Sequence, residues 1–173
     1  MLLKRSAIAR LVPHAGSMVL LDGVIGWTAE TLQAKASSHR AGDNPLRRAD
    51  RLSILTGIEY AAQATAVHGA LLTSRPGGCA EERSASVAAD EPPDGGVPPT
   101  ANLHPRRGFL AIVRDIRWTV DRLDTVAADL DIHVHLVTAQ AESTLYDFRL
   151  AAAGAELLSG RLAVFFPEGT TNP

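Results

Sequence analysis

Between Leu52 and Thr73 the chain reads Leu-Ser-Ile-Leu-Thr-Gly-Ile-Glu-Tyr-Ala-Ala-Gln-Ala-Thr-Ala-Val-His-Gly-Ala-Leu-Leu-Thr. Apolar residues fall at positions 54, 55, 58, 61, 62, 66, 67, 70 and 71, the spacing of a helix with one broad apolar face. At about 1.5 Å per residue such a helix spans roughly 33 Å, the width of a small domain. Its second half is rich in alanine, so another layer must pack very close to it. One carboxylate, Glu59, interrupts the apolar pattern, and Gln63 lies one turn further on the same face. A lone acid in such a helix is costly unless it is solvated, paired or used.

The segments on either side read as strands. Ser6 to Val12 predicts a short helical turn that stops before Pro13. Met18 to Trp27 is apolar and branched, and Thr31 to Ser38 alternates Leu32, Ala34 and Ala36 with polar residues; together they predict a hairpin. His39 to Asp50 is a polar loop, with Asp50 expected to cap the long helix. Four further strands are expected at 109–120, 130–138, 145–153 and 156–166, with Leu110, Ile112, Ile116, Trp118 and Val120 of the first pointing inward. Ala153-Gly154-Ala155 is the expected turn between the last two. Two strands, a long helix, then four antiparallel strands predict an α+β fold in which one sheet wraps a central helix, the plan of a hot-dog domain. Residues 74–104 carry many prolines and glycines and almost no large apolar side chains, so they are expected to form a flexible loop within a single domain covering 1–173. Deleting Gly77 to Pro99 is expected to leave folding intact.

Composition excludes several classes. A formal net charge of −2 gives no nucleic-acid signature. The single Cys79 excludes an internal disulfide framework and lacks a catalytic context, which fits a reducing compartment. No signal peptide and no apolar run of membrane-spanning length is apparent, so a cytoplasmic protein without a membrane partner is expected. His133 and His135 share the polar face of a strand, but no Cys or acid cluster completes a metal site beside them, and no metal is expected.

Two motifs carry a family resemblance. Ile8-Ala-Arg-Leu-Val-Pro-His-Ala-Gly-Ser-Met-Val-Leu-Leu-Asp-Gly-Val24 resembles the opening of the β-hydroxyacyl–acyl-carrier-protein dehydratases, and Gly57-Ile-Glu-Tyr-Ala-Ala-Gln63 resembles their central-helix Glu-Ala-x-Ala-Gln. Ser38-His39-Arg40, Asn44-Pro-Leu-Arg-Arg48 and Ala66-Val-His-Gly-Ala-Leu71 are similar to the dehydratase-like proteins of aryl-polyene biosynthesis. The resemblance is best over Ser6 to Leu72. It implies dehydration of 3-hydroxyacyl–acyl-carrier-protein thioesters to trans-2-enoyl thioesters, in aryl-polyene or fatty-acid-like biosynthesis, without metal or redox cofactor. It implies a dimer, either of two copies or with a second hot-dog subunit, whose interface brings His39 and Glu59 together. It also implies a phosphopantetheine-bearing acyl carrier protein as partner.

The chemistry suits those residue types. Histidine titrates near neutral pH and can remove the proton next to the thioester carbonyl. A carboxylic acid can protonate the departing hydroxyl. Free N–H groups around Leu55 to Gly57 are expected to bind the carbonyl oxygen, with Gly57 allowing close approach of substrate. Gln63 can orient Glu59 and contact substrate. Arg47, Arg48 and Arg51, with Arg40, flank the helix start and suit an acidic carrier protein or its phosphate. An apolar tunnel between helix and sheet is expected for the acyl chain.

Each residue also has a plainer reading. Glu59 can be a surface carboxylate, His39 a solvated loop histidine, Gln63 a partner for a buried backbone group, Gly57 a close-packing glycine and the arginines a solvated loop. His14 is expected to stabilise its turn. His68, on the opposite side of the helix from Glu59, is expected to be structural. Two other functions stay open. One is a hot-dog thioesterase. The other is a non-catalytic acyl-binding partner subunit, which the Ser37-Ser38-His39-Arg40 sequence favours where the dehydratases carry Gly-His-Phe-Pro.

Overall fold

The alanines of the long helix let a sheet close on it to core-packing distance. In the computed structural model, which describes residues 1–74 and 108–167, that helix is α2 (Gly57–Thr73), entered through a 3₁₀ turn at Ile54–Thr56. Its face bearing Tyr60, Ala61, Ala64 and Val67 is fully buried. It packs on the middle of a seven-stranded sheet. The chain begins with β1 (Leu3–Lys4), α1 (Arg5–Ile8), β2 (Gly23–Trp27) and β3 (Thr31–Ala36). After α2 come β4 (Phe109–Trp118), β5 (Leu130–Ala139), β6 (Ser143–Ala152) and β7 (Ala155–Phe165). The spatial order is β1-β2-β3-β5-β6-β7-β4, antiparallel throughout. This is the hot-dog arrangement that the element order predicts. The long segment expected to be a flexible loop lies, apart from its first residue, Ser74, outside the described residues, as does Cys79.

Register follows the alternation of apolar residues. Leu32 pairs with Val134, Ala34 with Ile132 and Ala36 with Leu130, and all six are buried under α2. The turn between β6 and β7 has Ala153 at φ 48° and Gly154 at φ 82°, the two left-handed residues that a tight twisted hairpin requires. Three expectations shift. The strand read from Met18 starts at Gly23, because residues 18–20 bond to the Gln63 side chain instead of a neighbouring strand. Asp50 does not cap the helix; Ser53 caps the 3₁₀ turn that leads into it, its hydroxyl accepting from the Leu55 N–H. Strand β4 lies at the edge, with Phe109, Leu110, Ile112 and Trp118 exposed rather than turned inward. Bulges at Leu110/Ile112 and Arg114/Arg117, with Asp115 at φ 57°, break its alternation.

Candidate active site

Gln63 organises the surroundings of Glu59. It is 1% exposed, and its amide is used on both ends. Oε1 accepts from Leu20 N (2.9 Å), while Nε2 donates to Met18 O (2.7 Å) and to Glu59 Oε1 (3.1 Å). The side chain thereby ties the 18–20 segment to α2. The 3₁₀ turn at Gly16–Met18, entered through Gly16 at φ 60°, then leads back to His14. His14 Nε2 lies 3.3 Å from Glu59 Oε1, and both side chains are about one-third exposed. The carboxylate is thus half-buried, oriented and paired. Gln63 orients Glu59, as its helical spacing predicts. The turn-stabilising hydrogen bond expected of His14 is not found among the described residues; instead its ring reaches the acid of a helix more than forty residues away in the chain. Spacing carries no signal for that contact; the Pro13-His14 pair inside the first motif is the sequence feature that marks the residue.

His39 occupies a separate niche in a 3₁₀ turn, Ser38–Arg40. The turn is locked from both sides. Ser38 Oγ donates to Leu20 O (2.7 Å) and lies 2.9 Å from Tyr60 Oη, and Asn44 Nδ2 donates to Tyr60 Oη and to Ser38 O. Arg40 holds the Ala127 carbonyl and the Asp129 carboxylate, whose pKa its guanidinium lowers. His39 itself is fully buried, with Nε2 3.0 Å from Val126 O. Burial lowers its pKa, with the nearby Arg40 charge adding to the effect, so the ring is neutral at neutral pH. Nε2 faces a carbonyl and therefore carries the proton, leaving Nδ1 as a bare lone pair with no hydrogen-bond partner among the described residues. A neutral imidazole in that state is a proton acceptor. Among the described residues no hydrogen bond or ion pair joins His39 to Glu59 within the chain.

The helix start differs from expectation. The Leu55 N–H bonds Ser53 Oγ, the Thr56 N–H bonds Ser53 O, and Gly57 N–H closes on Ile54 O, so none of the three is free. A Cβ on Gly57 would stand 2.7 Å from both Leu150 Cδ2 and Leu158 Cδ2. Its side toward the sheet is therefore packed by leucines. The inward face of α2, where a tunnel was expected, is filled by buried side chains.

The three arginines separate. Arg47 is turned into its own loop, with Nε on Ala41 O (2.8 Å) and a terminal nitrogen 3.1 Å from Asp50 O and 3.6 Å from Asp124. Arg48 and Arg51 are exposed and line a surface cavity of about 320 Å³ with Ser53, Thr56 and Arg122. His68 is fully buried, 3.0 Å from both Tyr146 Oη and Thr28 O, as a structural histidine should be. His133 stands opposite Arg149 across the sheet; burial first, and then that positive charge, lower its pKa.

Comparison with known proteins agrees with this architecture. Residues 6–81 match the ApeP-like family, described as ApeP dehydratase. Among curated proteins none matches the sequence. Among solved structures, the dehydratase heterocomplex ApeI:P from Xenorhabdus doucetiae is similar at 23% identity and a TM-score of 0.66, over 94% of this chain and 92% of that one. Zebra fish thioesterase superfamily member 2 is similar at 9% identity and a TM-score of 0.53, over 94% and 93%. A hypothetical thioesterase with coenzyme A from Streptococcus pneumoniae is similar at 9% identity and a TM-score of 0.50, over 83% and 84%. At these identities the likeness is one of fold.

Proposed function

From a hot-dog chain that is similar to ApeP-like dehydratases over residues 6–81, we propose that this protein takes part in dehydrating 3-hydroxyacyl thioesters carried on an acyl carrier protein. The observation that carries the reading is the Glu59 carboxylate, oriented by Gln63 on the central helix inside the matched segment. In the proposed reaction His39 takes the proton from C2, which requires the Ser38–Arg40 turn to move and open its buried Nδ1 to substrate, Glu59 protonates the hydroxyl leaving C3, and a trans-2-enoyl thioester and water result. Among the described residues no contact joins His39 to Glu59 within one chain, and the pair is proposed to be completed between two hot-dog subunits placed side by side. The exposed apolar residues of edge strand β4 support such a pairing. Gly57 and Gln63 are proposed to bound the substrate site. Arg48 and Arg51 are proposed to meet the carrier protein or its phosphopantetheine phosphate, with Arg47 shaping the loop that presents them. The chain is read as one domain, acting in the cytoplasm in aryl-polyene or fatty-acid-like biosynthesis.

A second reading has its own support. The similar structure from Xenorhabdus doucetiae is a heterocomplex, and in this reading the chain is an acyl-binding subunit whose partner performs the chemistry. A mass-spectrometric assay separates the two. Purified protein, alone and with a pathway partner, is given a 3-hydroxyacyl thioester on its carrier protein beside Glu59→Gln and His39→Ala variants. Loss of one water, abolished in both variants, is the expected result. Dehydration only with the partner and insensitive to both variants identifies a silent subunit, and release of free acid identifies a thioesterase.

A further inference from the structure

Glu59 has two carboxylate oxygens with different surroundings. Oε1 accepts from Gln63 Nε2 at 3.1 Å and faces His14 Nε2 at 3.3 Å. Oε2 has no hydrogen-bond partner among the described residues, and the side chain keeps 29% of its exposure. The His14 ring explains which proton it offers. Its Nδ1 is buried without a partner among the described residues, so a proton there would be an N–H with no acceptor among them. The proton of the neutral ring therefore sits on Nε2, the nitrogen 3.3 Å from Glu59 Oε1.

We propose that His14 is a positioning residue for the acid: with Gln63 it clamps Glu59 Oε1 and leaves Oε2 as the oxygen that hands its proton to the departing hydroxyl. The inference rests on the dehydratase reading for its consequence, but the clamp itself is a property of this chain. Proton and bond changes balance. The O–H bond on Oε2 breaks as the C3–O bond breaks, and the hydroxyl leaves as water. The C2 proton goes to the base, and its electron pair forms the new C2–C3 double bond. The charge then left on Glu59 is met by the Gln63 donor already on Oε1 and by the His14 ring 3.3 Å away, so little reorientation accompanies the step. Before the next turnover Oε2 regains a proton from solvent. The site thereby gains a residue that stands on the segment between α1 and β2, apart from both the helix and the His39 loop.

The test uses His14→Ala, His14→Gln and His14→Phe in the full chain, with the partner subunit if turnover needs it, each first shown to melt and elute like the wild type. His14→Ala is expected to lower kcat roughly tenfold to a hundredfold with KM changed by less than about twofold. His14→Gln, which restores a donor, is expected to recover most of the loss, and added imidazole part of it. Unchanged kcat in His14→Ala overturns the proposal. A readout independent of turnover is difference infrared spectroscopy of the Glu59 carboxyl band, identified by its absence in Glu59→Gln. That band is expected to move in His14→Phe and to stay near its wild-type position in His14→Gln. An unmoved band in His14→Phe overturns the clamp. A band that moves in a protein that dehydrates nothing, with any partner, overturns the dehydratase reading and leaves the clamp standing.

Discussion

Three histidines, at 39, 68 and 133, are held below their ordinary pKa, chiefly by burial, and the shared direction has a consequence for stability. Folding favours their neutral forms, so the unfolded chain binds protons that the native chain refuses. Their contribution is complete above the unfolded value of about 6.5 and is lost as the pH falls below it. The urea midpoint is expected to fall between pH 7 and pH 5, with the fall smaller in His68→Gln, whose amide cannot titrate. A midpoint flat over that interval would contradict the assignment. Residue identity was legible to different depths. Glu59 and Gln63 could be read because one helical turn separates them, and periodicity reports such neighbours. The His14–Glu59 contact could not, because a side-chain clip through Met18 and Leu20 makes it, and no local pattern encodes that path. The His39 loop was legible as polar, but its burial was not. It depends on Tyr60 and Asn44 meeting beneath the loop and on the 126–129 segment closing from above.

Among the elements, α2 was the easiest to anticipate, because its apolar spacing and its alanines state both its type and its closeness to the sheet. Gly57 shows how close that approach is. A methyl group there meets Leu150 and Leu158, an overpacking cost of about 1–3 kcal/mol. Helix propensity returns less than about 1 kcal/mol. Gly57→Ala is therefore expected to lower the urea midpoint with an unchanged slope. Activity lost without any loss of stability would instead point to substrate contact at that backbone. Strand β4 was the element most misread. Alternation identifies which residues are apolar, not whether anything covers them, and two bulges change the phase along the strand. The exposed side chains are understood once β4 is seen at the edge. If β4 is the pairing edge, Ile112→Lys, at a residue 54% exposed, is expected to shift the chain from dimer to monomer in light scattering while the monomer stays folded.

At the scale of the whole molecule, the fold class followed from element order alone, since a long helix flanked by strands leaves few ways to bury its face. The strand order within the sheet did not. Nothing in the sequence says that β5 joins β3 while β4 crosses to the far side of β7; that follows from how the chain passes over the helix. The two ends of the sheet are unequal. One ends in β1, a two-residue strand, and the other in β4, ten residues long with an apolar rim. A sheet that can grow at one end only behaves like a connector with a single socket. Joined through that end about a two-fold axis, two such chains use up each other's one long free edge among the described residues, and assembly stops at the pair instead of running on into a filament.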